Sequence, residues 1–332
     1  MIGAGKIAPN PYYSGPKDGH FDGTRFFSAG QASDSSLVDL LRWRLKSRAA
    51  RWPRRVDVTP ARPDARVDAC RVTVVGHSTV LIQVDGVNIL TDPIWSERAS
   101  PLSFAGPRRV TAPGILFDDL PTIDVVLLSH NHYDHLDLAT LRRLHHRDAP
   151  RIITPLGNDV IIRRAVPGAT ITAGDWGRPI HLEGIGAVTP VPANHWSARG
   201  TRDKRMALWC GFMLRTPRAL IYFAGDTGYG DGAIFRQIRA EHGPPDLALI
   251  PIGAYEPRWF MAAQHANPEE AVRILLDLEA RRAIGIHWGC FQLTDEPREE
   301  PAERLRNELH RRGIDAGRFV APPPGSVVPL DG

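Results

Sequence analysis

Cysteine is scarce in this 332-residue sequence. The three present, Cys70, Cys210 and Cys290, are scattered, odd in number and never in a CxxC pair. That argues against a disulfide framework and a cysteine-built zinc knot, and reads as reduced thiols of a cytosolic protein. Long apolar runs are missing too. No stretch approaches the ~20 residues that span a bilayer, and the opening "MIGAGKIAPNPYYSGPKDGH" has no apolar core of a secretory leader. The expectation is a soluble, cytoplasmic protein, at most peripheral at the inner membrane face. Neither charge sign dominates: a formal net charge of +4 does not announce a nucleic-acid partner. Lysine is rare and the basic residues are nearly all arginine, which a genomic base-composition bias explains as well as function does.

What is there has the texture of layered α/β architecture. The length allows about two domains, or one large α/β domain with decorations. Residues 1–35 are rich in Gly, Pro, Ser and Asp and lack periodicity. In "SSLVDLLRWRLKSRAARW", Ser35 or Ser36 can cap a helix over 36–52, with Leu37, Leu40, Leu41 and Leu45 on one face. Arg42, Lys46 and Arg48 line the other, with Trp43 and Trp52 nearby. One reading docks this helix on the core with a solvated basic face; the sharper one lays it on anionic lipid headgroups. Residues 1–66 thus form an arm and an amphipathic helix packed on the core, and 67–332 form the body.

In that body, "CRVTVVGHSTVLIQVDGVNILTDP" reads as successive strands around a "DG" turn. "IDVVLLSH", "RIITPLG", "GAVTPVPANHW", "PDLALIPIG" and "AIGIHWG" are short apolar strands ending in polar residues, and "MALWCGFMLRTPRALIYFAGDTGYG" is a hairpin. "LDLATLRRLHHRD", "NDVIIRRAV", "GAIFRQIRAEHG" and "NPEEAVRILLDLEA" are helices, the last with Asn267 as cap and Pro268 at its first position. The rhythm repeats in residues 70–190 and 190–330, which predicts one sandwich of two similar halves.

The chemistry concentrates in "SHNHYDHLD". His130, His132, Asp134 and His135 spell H-x-H-x-D-H directly after a strand. Imidazole and carboxylate suit zinc. His195, Asp226 and His287 each end another apolar run, where layered α/β proteins gather their functional groups. Seven nitrogen and oxygen donors are too many for one ion. They suit two, each with an open position.

H-x-H-x-D-H with a later His, an Asp and a last His resembles the metallo-β-lactamase fold signature, and Asp92 matches the Asp that supports its metal loop. "VGHSTVLIQ", "LTDPIWSERASP", "GPRRV", "SHNHYDHLD", "FAGDTGY", "IPIGAYEPRWFM", "QHANPEEAVRI" and "IHWG" are further similar to N-acylphosphatidylethanolamine-hydrolysing phospholipase D, over about residues 70–320. The resemblance implies an αββα sandwich with 67–332 as catalytic domain. It places one zinc on His130, His132 and His195, a second on Asp134, His135 and His287, and Asp226 as bridge. It implies a phospholipid substrate, hydrolysed to N-acylethanolamine and phosphatidate by a hydroxide held between the ions. Iron or manganese fits the same donors.

Other residues are weighed beside these. Asp134 and Asp226 carry catalytic roles in this reading. Tyr133, inside the motif, can donate to substrate or pack on the loop. Gln264 and His265 resemble a segment close to the active site; a helix cap neighbour is the plainer reading. His77 is expected to make a structural hydrogen bond, and His145 and His146 to lie on a surface helix. "AGDTGYGDG" lacks the lysine of a phosphate-binding P-loop, and its glycines turn the chain beside Asp226. "AYEPRWF", with Arg258, is read as a substrate wall. The alternatives are a hydrolase for another ester, lactone, thioester or phosphorylated sugar, a nucleic-acid phosphodiesterase, and a non-catalytic membrane scaffold. Retention of all seven donors argues against the last. A homodimer is left open.

Overall fold

Apolar side chains alternate along the strands, and that alternation sets four layers. The computed structural model describes residues 9–28 and 37–330. The first sheet contains β1 (Arg71–Gly76), β2 (Thr79–Val84), β3 (Val87–Thr91), β4 (Val125–Leu127), β5 (Arg151–Pro155) and β6 (Ile171–Gly174). The second contains β7 (Ile180–Leu182), β8 (Gly186–Val191), β9 (Gly211–Arg215), β10 (Leu220–Phe223), β11 (Leu247–Pro251), β12 (Arg282–Ile286) and β13 (Phe319–Val320). A last strand, β14 (Val327–Pro329), returns to the first sheet and pairs antiparallel with β1, Thr73 opposite Val327. Each sheet therefore has seven strands, in the orders β14-β1-β2-β3-β4-β5-β6 and β13-β12-β11-β10-β9-β8-β7.

Helices cover the outer faces. They are α2 (Leu138–Asp148), α3 (Asn158–Ala165), α4 (Ala233–His242), α6 (Pro268–Asp277) and α7 (Glu300–Arg311); the chain also forms α1 (Leu37–Lys46) and the short α5 (Arg258–Met261). Val72, Val74, Ile82, Val125 and Leu127 of the first sheet meet Phe212, Leu214, Ile221, Phe223, Ile284 and Ile286 of the second in a central core. The alternate residues Leu81, Leu90, Val126 and Ile152 pack on Leu141, Leu144, Ile161 and Ile162 of α2 and α3. Tyr222, Ala248, Ile250 and Ala283 face Phe235, Ile238, Val272, Leu275 and Leu305 of α4, α6 and α7. Period-2 strands thus bury both faces, one against a sheet and one against helices. The expected αββα sandwich of two similar halves is the fold observed.

In the N-terminal region the arm packs on the body, and the helix departs from its expectation in its end and in its contacting face. Residues 9–28 are pinned by aromatics: Phe21 and Phe26 are buried with Ala193, Leu208 and Trp209, and Tyr13 packs beside them. The helix ends at Lys46, not at 52. Beyond it the chain is drawn aside: the Ala50 amide donates to the Asp295 carbonyl, and Trp52 Nε1 to that of Glu296. Nor do Leu41 and Leu45 carry the contact. Trp43 donates to Asp295 and stacks near Phe260, while Val38, Leu41 and Leu45 are exposed. The proposed caps Ser35 and Ser36 lie outside the described residues.

His20 fastens the arm. Its Nε2 lies 2.8 Å from Asp175, its Nδ1 3.3 Å from Asp18, and its ring stacks on Trp176. The hydrogen bond to Asp175 raises its pKa above the ordinary histidine value. A raised folded-state pKa contributes stability that is complete below the unfolded value, about 6.5, and fades as pH climbs through the folded one. His20→Gln should therefore cost stability at pH 6 and progressively less toward pH 9, as read from urea unfolding of both proteins across that range.

Candidate metal centre

Five strand ends converge on one edge of the sandwich. The segment after β3 supplies Asp92, that after β4 supplies Ser129 to Asp137, and those after β8, β10 and β12 supply His195, Asp226 and His287. Strand ends are where the backbone leaves its ladder and can aim side chains together. The turns are tight: Asp92 and His287 hold φ of 31° and 61°. Gly225, just before Asp226, has φ of 59°, and a Cβ there would meet Ser129 Cβ at 2.7 Å. Only glycine fits, as expected for the "AGDTGYGDG" stretch.

Two groups of donors result. In the first, His130 Nε2 lies 2.9 Å and His195 Nε2 3.1 Å from His132 Nδ1. In the second, Asp134 Oδ2 lies 3.2 Å from His287 Nε2 and 3.4 Å from His135 Nε2. Asp226 reaches both. Its Oδ2 is 3.1 Å from His135 Nε2, 3.7 Å from His195 Nε2 and 3.9 Å from His130 Nε2, and its Oδ1 is 3.3 Å from His287 Nε2. The structure thus brings all seven predicted donors together.

The fit to cations rests on atoms that the protein leaves unsatisfied. Among the described residues, His132 Nε2, His135 Nε2 and Asp226 Oδ1 are buried without a hydrogen-bond partner. Ring nitrogen facing ring nitrogen at 2.9–3.1 Å gives the rings of the first group little mutual stabilisation, whereas a shared cation would use all their lone pairs. The opposite nitrogens are held from outside. Asp92 Oδ2 lies 2.6 Å from His135 Nδ1 and accepts the Ser129 hydroxyl, whose oxygen lies 2.9 Å from His130 Nδ1. His195 Nδ1 donates to the Gln264 carbonyl at 3.0 Å. Such contacts fix the tautomer and turn Nε2 inward.

Electrostatics separates the two groups. Burial, reinforced by neighbouring imidazoles, pushes His130 well below the ordinary value; burial takes His132 down to about 3 and His195 to about 4. Burial opposes charge on Asp134 and Asp226 too, yet the imidazoles around them, His135 foremost, hold both carboxyls well below the usual range. Against the same burial, Asp226 raises His135 well above its ordinary value and His287 to about 9.

The secondary candidates divide. Gln264 belongs to the site through its backbone; its side-chain oxygen accepts from Trp196 Nε1 and its amide faces Met261 Sδ. His265 is buried beside the donors, its ring 5.1 Å from that of His195 and 5.5 Å from that of His287. Tyr133 donates its hydroxyl to the Arg199 carbonyl, and the Arg199 guanidinium stacks on its ring at 3.9 Å. Arg258 pairs with Glu270 and donates to the His265 carbonyl, so it braces the loop and has no free fork for a substrate wall. Sequence reasoning missed Arg199, whose Nη1 donates to the carbonyls of Asn131 and Leu136 and so clasps the H-x-H-x-D-H loop. Nothing local marks it: the clasp joins residues more than sixty positions apart.

Comparison with known proteins decides the lineage. A profile described as "Beta-lactamase superfamily domain" matches residues 87–288. The chain belongs to the metallo-β-lactamase superfamily. It is a metal-dependent hydrolase of that superfamily. It is similar to N-acyl-phosphatidylethanolamine-hydrolyzing phospholipase D 1 of Caenorhabditis elegans, at 41% identity over 72% of this chain and 70% of that one. The mitochondrial enzyme of the same description from Saccharomyces cerevisiae is 33% identical, over 76% of this chain and 59% of its own. Isothiocyanate hydrolase from Delia radicum gut bacteria shares the metallo-β-lactamase fold, with a TM-score of 0.61, 20% identity, and coverage of 78% and 98%.

Asp92 is the test of the outer support. Asp92→Ala leaves His135 Nδ1 and Ser129 without their acceptor. Loss of such support typically weakens metal binding ~10–100-fold; chelator competition against the unaltered protein is the measurement.

Proposed function

We propose that this chain is a dinuclear-zinc phosphodiesterase that hydrolyses N-acylphosphatidylethanolamine-type phospholipids to N-acylethanolamine and phosphatidate. The observation that carries the two-ion part is Asp226, whose carboxylate spans both donor groups. The substrate class is supported by two relatives that bear that activity in their descriptions. Ions bound there supply a hydroxide at neutral pH and offset the charge that builds on phosphorus. In the overall reaction, water oxygen joins phosphorus, the bond to the N-acylethanolamine oxygen breaks, and that oxygen leaves with a proton. The chain's own part is to hold donors in register: Asp92, Ser129 and the Gln264 carbonyl orient imidazoles, and Arg199 clasps the loop.

A cavity of about 360 Å³ adjoins Tyr133 and suits an amphiphile. Arg98 and Arg142 line it with Glu97, Asp137, Pro101, Leu102 and Leu138, setting cations and carboxylates beside apolar surface for a chain. Exposed Leu41 and Leu45, with Arg42 over the exposed Trp259, suit shallow contact with an anionic membrane surface.

Two experiments test this reading. Asp226→Ala is expected to lower both bound zinc and lipid hydrolysis at least ~100-fold, since a bridging donor should outweigh any outer support. Product analysis by mass spectrometry, beside a lactone and a thioester as competing substrates, reads the outcome; full activity in the variant, or a preference for either competitor, refutes the assignment. For the membrane contact, Leu41→Glu/Leu45→Glu should reduce sedimentation with anionic vesicles and leave zinc content unchanged. Equal sedimentation of variant and parent counts against it.

A further inference from the structure

His77 has more to do than make a structural hydrogen bond. It sits in the β1–β2 turn at φ of 57°, a conformation unfavourable for a residue with a Cβ. The backbone is stitched to the opposite sheet on both sides: the His77 amide donates to Cys290 Sγ at 3.0 Å, and its carbonyl accepts from the His287 amide at 2.9 Å. The ring is buried, lying 4.0 Å from that of His287, with the Phe291 edge at 5.2 Å. Its Nε2 comes 3.0 Å from Asp134 Oδ2.

Oδ2 is also the oxygen that faces His135 Nε2 and His287 Nε2. A carboxylate oxygen has two lone-pair directions. One can take the His77 N–H while the other points between the two ring nitrogens. His77 also differs from the donors in position. His135 and His287, the imidazoles of the second group, come within 3.1 Å and 3.3 Å of Asp226, and His77 has no such pair. It touches the second donor group through Asp134 Oδ2.

We propose that His77 is a positioning residue for the second ion. Its Nε2–H fixes Asp134, and its strained turn ties Asp134 of the first half to His287 of the second. The inference rests on the two-ion reading above. It assigns His77 to the second site alone, because none of its side-chain contacts reaches His130, His132 or His195.

Zinc and Co²⁺ titration of the full chain tests it, by calorimetry and by the visible absorption of bound cobalt. His77→Phe keeps the ring and removes the donor; His77→Gln restores an N–H near the Nε2 position. The unaltered protein should take two equivalents. His77→Phe should take the first as the parent does and the second ~10–100-fold more weakly, the usual cost of losing such support. Its cobalt spectrum should change only on the second addition, and His77→Gln should recover most of the loss. Three results overturn the proposal: both equivalents bound as in the parent, both weakened together with a lower melting temperature of the metal-free protein, or a second equivalent that glutamine does not rescue, which would make His77 a ligand. A parent that takes one equivalent overturns the two-ion reading itself.

Discussion

Carboxylates buried among imidazoles, with no lysine or arginine paired to them, are the constraint around which this molecule is arranged. Asp92 and Asp226 lie in the interior and Asp134 at its margin, and among the described residues their ion-pair partners are all histidines. Buried charge is costly unless paired and hydrogen-bonded. Here only histidines answer them, and the carboxylates raise His135 and His287 above the ordinary histidine value against the pull of burial. Burial lowers His130, His132 and His195 below it. The two donor groups thus differ in direction: burial disfavours protons on one, the carboxylates favour them on the other, and a cation competes with protons for both.

The rest of the fold serves this division by rigidity. Each donor leaves a strand buried on both faces, so its root cannot shift without disturbing the core. The loops between are held by single contacts of long reach. Arg199 closes the H-x-H-x-D-H loop, Asp203 accepts the Arg199 and Gly200 amides, and Tyr12 of the arm donates to Asp203. A chain of contacts runs from the arm to the metal loop. The aromatic cluster of Phe21, Phe26 and Trp209 anchors its far end, next to Ala193 and two residues before His195.

Much of this was legible in the sequence, and the physical reason is locality. H-x-H-x-D-H states its chemistry within six residues, and His195, Asp226 and His287 are marked by the apolar strands they end. Strands buried on both faces and the capped α6 were equally plain; Asn267 accepts from the Glu270 amide and Glu270 answers in a capping box. What escaped was non-local or weakly patterned. The edge strands β6 and β7 are half-buried and carry no continuous apolar signal. Nothing near Ser47 foretells that Asp295 will draw the chain out of its helix. His77 and Arg199 act on residues whose proximity only the closed sandwich creates.

The return of β14 to β1 has a consequence for how the molecule comes into being. Thr73 meets Val327 across the antiparallel ladder, so the first sheet keeps a bare edge until a strand from far along the chain arrives. Closing so long a loop carries an entropic cost before any contact repays it, which places this pairing late in folding. During synthesis the N-terminal half is a sheet awaiting its border, and His287 is still absent from it. Asp134 and His287 come together only after both have been made. The second donor group is therefore complete only once the two halves have met, whereas the first is contained between His130 and His195 of the chain.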